Sequence, residues 1–125
     1  MYIFYNPNPC KIRTGDCTIR AISRALNQDW HTTYWGIAVQ GDILCSMPSN
    51  NDVWGEYLVT KGFEEYLIPK QYVDYTIKDF CRDNPNGVYL LALVSHIVCA
   101  ENGDYYDIWD SGNEQVKSYW KRKEN

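Results

Sequence analysis

The chain has 125 residues, of which 45% are hydrophobic and 22% are charged. This length and balance predict a single domain over residues 1–125 that can bury a core without metal or disulfide bonds, and they exclude wholesale disorder. Sixteen acidic and twelve basic residues give a net charge of −4, which argues against nucleic acid as the main partner. A membrane helix needs about 20 apolar residues, and no apolar run is that long. The first residues do not have the pattern of a secretory signal. We therefore expect a cytoplasmic protein without a membrane partner.

The cysteines do not form a recognisable framework. There are five of them, at irregular spacing and without a Cys-x-x-Cys pair, so neither a disulfide scaffold nor a zinc site is predicted. The chain also lacks the glycine-rich and His-Glu-x-x-His motifs that hold nucleotides or zinc. We expect no metal and no cofactor, and we interpret most of the cysteines as small buried hydrophobic residues.

The first segments have the patterns of an extended arm and a helix. Residues 2–15 contain Asn-Pro-Asn-Pro, which disfavours a helix. Over residues 16–26 the apolar side chains recur at helical spacing, and Asp16 is an N-cap candidate. The helix should therefore begin at or next to Cys17.

Two further helices are predicted before the middle of the chain. One covers residues 29–39, and the next follows the cap-rich residues 49–52 and ends at Gly62. Residues 42–47 are compatible with a loop or a short turn. A short helix over residues 76–82 is indicated by a weak capping box.

From residue 88 onward the pattern is that of strands. The run VYLLALV is continuously apolar and rich in β-forming residues, HIVCA continues it, and Glu-Asn-Gly-Asp at 101–104 is a strong hairpin signal. YYDIWD is the returning strand, and residues 116–120 can add another. The chain is thus predicted to be α+β, with N-terminal helices followed by a small antiparallel sheet.

Cys17 is the candidate nucleophile. A thiol in the first turn of a helix is close to the positive end of the helix dipole and to unpaired backbone N–H groups, which favour the thiolate. The same N–H groups can stabilise the oxyanion that forms when a carbonyl is attacked. The alternative is that Cys17 is a small residue packed at the helix start.

His96 is the candidate base, although a histidine within an apolar strand can also be a structural core residue. Asp107 and Asp110 are the candidate acids that would orient its ring. A two-residue Asn-Gly turn places Asp107 on the same face as His96, whereas a longer turn or a bulge places Asp110 there. Asp110 is favoured because it stands at the strand exit, before Ser111 and Gly112.

The segments NPNPCKIRTGDCTIRAISRAL, MPSNNDVWGEYLVTKGF and GVYLLALVSHIVCAENGDYYDIWDSGNE resemble small papain-like cysteine-peptidase-fold proteins of gut bacteria and their phages. The histidine and aspartate part is more distantly similar to the peptidases that cut bacteriocin leaders. The resemblance implies a papain-like domain with a Cys17, His96 and Asp110 triad. It also favours Asp110 because Asp110-Ser111 matches the Asn-Ser pair of papain.

The resemblance departs from papain at the oxyanion donor. Papain-like enzymes carry a glutamine shortly before the cysteine, where this chain has Lys11. Asn6 or Asn8 could replace that amide, or both could form Asx turns.

We therefore interpret the protein as a thiol hydrolase that cleaves a peptide or isopeptide bond in a peptide or protein substrate. We expect it to act in a bacterial or phage-infected cell, and the sequence leaves homo-oligomerisation open. The alternative is a non-catalytic papain-like module of phage or mobile-element origin that holds a host protein or small molecule.

Overall fold

The computed structural model describes residues 1–124 and has an α+β fold, as predicted. Within the described residues it contains four helices and one six-stranded sheet. The helices are α1 (Cys17–Leu26), α2 (Trp30–Leu44), α3 (Asn51–Thr60) and α4 (Ile77–Asp83). The strands are β1 (Tyr2–Phe4), β2 (Phe63–Leu67), β3 (Val88–Ala92), β4 (Ile97–Glu101), β5 (Asp104–Asp107) and β6 (Ser118–Arg122).

Most helix ends follow the capping signals. α1 begins at Cys17 as predicted, and α4 has the capping box between Thr76 and Asp79. α2 is longer than predicted and takes in residues 42–44. It is capped at its start by the Asp29 carboxylate, and it ends where Cys45 adopts a left-handed conformation.

The prediction of a purely antiparallel sheet is wrong, because the sheet is mixed. Its strand order is β1-β5-β4-β3-β6-β2, and β1 runs parallel to β5. The strands β1 and β2 were not predicted. Both are edge strands, so their pairing depends on partners far away in sequence and leaves little local signal.

Helices cover both faces of the sheet. α1, α2 and α3 form one core with Leu90 and Cys99, whereas α4 forms a second core with Leu91 and Val98. Successive residues of a strand point to opposite faces, so a strand buried on both faces is apolar throughout. This explains the unbroken apolar run that begins at Val88.

Among residues 1–124, none of the helices combines the length and the apolar character that crossing a membrane requires.

Candidate active site

Cys17 is the first residue of α1 and lines a pocket of about 200 Å³ at the protein surface. The carboxylate of the preceding Asp16 does not cap the helix, because it is turned toward Arg20, Asn8 and Trp30. The amides of the first turn of α1 are therefore left for a ligand in the pocket.

His96 lines the same pocket. The sequence had indicated that His96 lies within a strand, but in the structure it lies between β3 and β4. β3 ends at Ala92, and a tight connection closed by the Leu93 N–H to His96 carbonyl bond of 2.8 Å precedes β4. His96 is the residue before β4, and it lines the pocket together with Cys17 and Thr18 of the first turn of α1. Cys17 and His96 line this pocket together, and each side chain shifts the pKa of the other.

The carboxylate beside His96 belongs to Asp107. Its Oδ2 lies 2.6 Å from His96 Nε2 and accepts a hydrogen bond of 2.8 Å from the Ser111 hydroxyl. Its Oδ1 accepts from the backbone N–H of Ile108 at 2.8 Å and forms an ion pair of 3.4 Å with Arg20. Asp107 is 2% exposed, so every one of these contacts is shielded from water. Because Nε2 is taken by Asp107, Nδ1 is the ring nitrogen that remains for the thiol.

The expectation that Asp110 orients His96 is wrong in this structure. Asp110 is exposed, and its Oδ1 accepts hydrogen bonds from the Tyr105 hydroxyl and from the Gly112 N–H. The hairpin between β4 and β5 has a two-residue turn, with Asn102 and Gly103 both at positive φ. That turn gives the register in which Asp107 shares the face of His96.

The electrostatics of the pair favour the charged forms of both side chains. Burial tends to raise the pKa of Cys17, but the hydrogen bond and charge of His96, the Ile97 N–H and the charge of Arg20 together lower it. Burial tends to lower the pKa of His96, but the hydrogen bonds and charges of Asp107 and Cys17 raise it to about 9. A lowered thiol pKa beside a raised imidazole pKa describes a thiolate–imidazolium pair.

The carboxylate of Asp107 is held in its ionised form. Burial tends to raise its pKa, but hydrogen bonds from His96, Ser111 and the Ile108 amide lower it. An ionised carboxylate accepts the Nε2 proton and so fixes the orientation of the ring.

A buried cation connects this acid to the helix that carries the cysteine. Arg20 is 5% exposed and forms ion pairs with both Asp16 and Asp107. Arg20 is thus paired with Asp16 along the helix and is at the same time buried. Arg20 thereby ties the Cys17 end of α1 to the end of β5.

The amides of Asn6 and Asn8 do not serve as oxyanion donors in this structure. Asn6 donates to the Ile12 carbonyl at 3.3 Å, and Asn8 donates to Asp16 at 3.3 Å. Their side-chain oxygens accept from backbone amides two residues on, which is the Asx-turn alternative. Neither residue lines the pocket that contains Cys17.

Three residues of the site were not singled out from the sequence. Asn51, at the start of α3, lines the pocket, and its Oδ1 accepts a hydrogen bond of 3.1 Å from Trp54. The Trp109 ring covers His96 with a centroid distance of 5.5 Å. A motif match had drawn attention to Ser111 as a neighbour of Asp110, but its hydroxyl contacts Asp107 instead.

No family model, curated protein or solved structure matches this chain. Within residues 1–124, no group of three or more His, Cys, Asp or Glu side chains is arranged to hold a metal ion.

Proposed function

We propose that the protein is a papain-like cysteine hydrolase that cleaves a peptide or isopeptide bond with Cys17, His96 and Asp107. The observation that carries the proposal is that Cys17, at the N-terminus of α1, and His96 line one open pocket, and that the Asp107 carboxylate lies 2.6 Å from His96 Nε2. The pKa shifts favour the charge that acyl transfer requires of each member: a thiolate, an imidazolium and a buried carboxylate. A cytoplasmic site of action remains the prediction made from the sequence.

In the first step the Cys17 thiolate attacks the carbonyl carbon and forms the S–C bond. The negative charge that develops on the carbonyl oxygen is stabilised by the amides of the first turn of α1. His96 then gives its Nδ1 proton to the departing nitrogen as the C–N bond breaks. The products of this step are an amine and a thioester on Cys17.

In the second step water hydrolyses the thioester. Neutral His96 takes a proton from the attacking water, and the S–C bond breaks to release the carboxylic acid and restore the thiolate. Asp107 stays ionised throughout and acts as a positioning residue, because its role is to hold the ring and stabilise its positive charge.

Asn51 is proposed as the side-chain donor to the oxyanion. It is the residue with a side-chain amide among those lining the pocket, and Trp54 already occupies its Oδ1. The NH₂ group is then left to donate a hydrogen bond. Loss of one oxyanion donor typically lowers kcat by about 100- to 1000-fold, which is the expected effect of Asn51→Ala on hydrolysis.

Alkylation with iodoacetamide at pH 7 tests the nucleophile without knowledge of the substrate. Cys10 and Cys45 are exposed, whereas Cys17 is only partly exposed, so accessibility by itself predicts that the first two react faster. An ordinary thiol is only a few per cent ionised at pH 7, so an ionised Cys17 should react about tenfold faster than they do. Peptide mapping by mass spectrometry measures the individual rates.

Two histidine variants make this test specific. His96→Ala should remove the selectivity for Cys17, because the thiolate loses its counterion. His31→Ala is the matched control, since His31 is the other histidine of the chain and is exposed on α2. If Cys17 of the unaltered protein reacts no faster than the other cysteines, that result would contradict the hydrolase proposal and favour the binding module.

A further inference from the structure

A second pocket adjoins the one that contains Cys17. It has a volume of about 150 Å³ and lies between α1, α2 and the segment before α3. Gly15, Thr18 and Ser49 line both pockets, so the two are adjacent. Cys17 lines the first pocket only, and its neighbours in the chain, Asp16 and Thr18, line the second, so a group in the second pocket lies next to the start of α1.

The walls of this second pocket are mostly apolar. They are formed by Ile19 of α1, by Tyr34, Ile37 and Ala38 of α2, and by Pro48. A cavity of about 150 Å³ with apolar walls accommodates one benzene-sized group. The volume thus fits a single side chain of the size of leucine, isoleucine or phenylalanine.

The one charged group in the lining does not favour a basic ligand. Asp16 lines the pocket, but its carboxylate already accepts hydrogen bonds from Arg20, Asn8 and Trp30. Asp16 is 5% exposed, and its charge is compensated by the guanidinium of Arg20. A lysine or arginine side chain would lose its hydration in this pocket without gaining a free carboxylate.

The position of His96 decides which part of the substrate lies in the second pocket. His96 lines the first pocket but not the second. The leaving nitrogen must be within reach of the His96 proton, so the leaving group lies on the His96 side of the thiol. The acyl part of the substrate then lies on the opposite side, toward Gly15, Thr18 and Ser49.

From this arrangement we propose that the second pocket binds the side chain of the residue that carries the scissile carbonyl, and that it selects an apolar side chain of leucine or phenylalanine size. The proposal rests on the proposed hydrolase function and adds a substrate class to it. Burial of one additional methylene group in an apolar pocket changes specificity by about 10- to 200-fold, so a whole leucine side chain should give at least a tenfold preference.

Chloromethyl ketones of acetyl-leucine, acetyl-glycine and acetyl-lysine test this preference. The thiolate attacks the chloromethyl carbon, the S–C bond forms, and chloride leaves. The measured quantity is the second-order rate constant of Cys17 modification for each reagent, divided by that for iodoacetamide. Since iodoacetamide has no side chain for the second pocket, this ratio separates side-chain binding from the reactivity of the thiol.

We expect the leucine reagent to react at least tenfold faster than the glycine reagent, and the lysine reagent to show no such gain. Ala38→Phe fills the pocket and should bring the leucine-to-glycine ratio close to one, with Ala38→Leu as a smaller replacement that is easier to fold. Val39→Phe is the matched control, because Val39 is the next residue of α2 and is 55% exposed. It should keep the preference of the unaltered protein.

Each outcome has a definite consequence. Equal ratios for leucine and glycine, a preference for lysine, or a leucine preference that survives in both Ala38 variants would overturn the pocket proposal while the hydrolase proposal stands. Slow reaction of Cys17 with iodoacetamide itself would overturn the hydrolase proposal and, with it, the proposed substrate class.

Discussion

Replacing Asp107 by asparagine should disable the candidate site, whereas the same replacement of Asp110 should not. Both oxygens of Asp107 accept hydrogen bonds from two donors each: His96 and Ser111 at Oδ2, and the Ile108 amide and Arg20 at Oδ1. Asparagine has one oxygen and one NH₂ group. In either orientation of the amide, its NH₂ group would lie against two hydrogen-bond donors, and those two hydrogen bonds would be lost.

The expected magnitude follows from the pKa of His96. It is raised from 6.5 to about 9, although burial by itself would lower it. At about 1.4 kcal/mol for each pH unit, this corresponds to about 3 kcal/mol of stabilisation of the imidazolium, which Asp107 and Cys17 share. If Asp107 supplies half of it, its loss costs about 1.5 kcal/mol, which lowers the pKa of His96 by about one unit, from about 9 to about 8.

Asp110 provides the matched control for this substitution. Its Oδ1 accepts from Tyr105 and Gly112, and the oxygen of an asparagine can accept both of these bonds. Asp110→Asn should therefore keep the iodoacetamide rate of Cys17 within about twofold.

The assay is the rate of Cys17 alkylation as a function of pH, with the circular dichroism spectrum of each variant as a check of folding. Asp107→Asn should move the pH at which the imidazolium is lost from about 9 to about 8, and it should lower the Cys17 rate between these two pH values. Ser111→Ala removes one hydrogen bond but no charge, so its rate should lie between those of Asp107→Asn and the unaltered protein. A larger loss in Asp110→Asn than in Asp107→Asn would refute the assignment of the acid.

Three further predictions concern the pH profile, the buried cation and the contact between α2 and α3. The rate of hydrolysis should have a bell-shaped dependence on pH, because Cys17 is protonated below its lowered pKa and His96 loses its proton above about 9. A sigmoidal rise without an alkaline decline would contradict the thiolate–imidazolium pair. Arg20→Met should lower the free energy of unfolding by about 3–5 kcal/mol in urea titrations, because it leaves the buried Asp16 without its cation and Asp107 with His96 alone. Arg24→Met, which breaks a partly exposed pair, should cost about 1 kcal/mol or less. Gly36→Ala should cost about 1–3 kcal/mol in the same titration, since its Cβ would lie 2.6 Å from a tyrosine ring of α3, and an unchanged midpoint would contradict this packing.

Local patterns in the sequence were sufficient for the helices and for the position of the nucleophile. Helical periodicity and the preceding Gly-Asp step placed the start of α1 at Cys17. The Asn-Gly pair at 102–103 predicted a hairpin but left the length of its turn open, and the two-residue turn of the structure puts Asp107 on the face of His96. Both inferences depend only on neighbours along the chain, where spacing and turn chemistry determine the geometry.

The identity of the acid could not be decided in this way. Asp107 and Asp110 remained alternatives because one extra residue in the turn exchanges their faces, and the match of Asp110-Ser111 to a papain motif favoured the wrong one. The choice is made by Ser111, Arg20 and the Ile108 amide, which converge on Asp107 from different segments. Only the folded chain brings these donors together.

The sequence by itself therefore predicted the α+β class, the helix that begins at Cys17, and Cys17 and His96 as members of one candidate site. The tertiary structure decided which carboxylate contacts His96, which cation compensates that carboxylate, and that β1 and β2 complete a mixed sheet. The physical reason is the range of the interactions involved. Helix starts and hairpin turns are set by adjacent residues, whereas edge-strand pairing and buried ion pairs join residues that are distant in sequence and meet only when the core has formed.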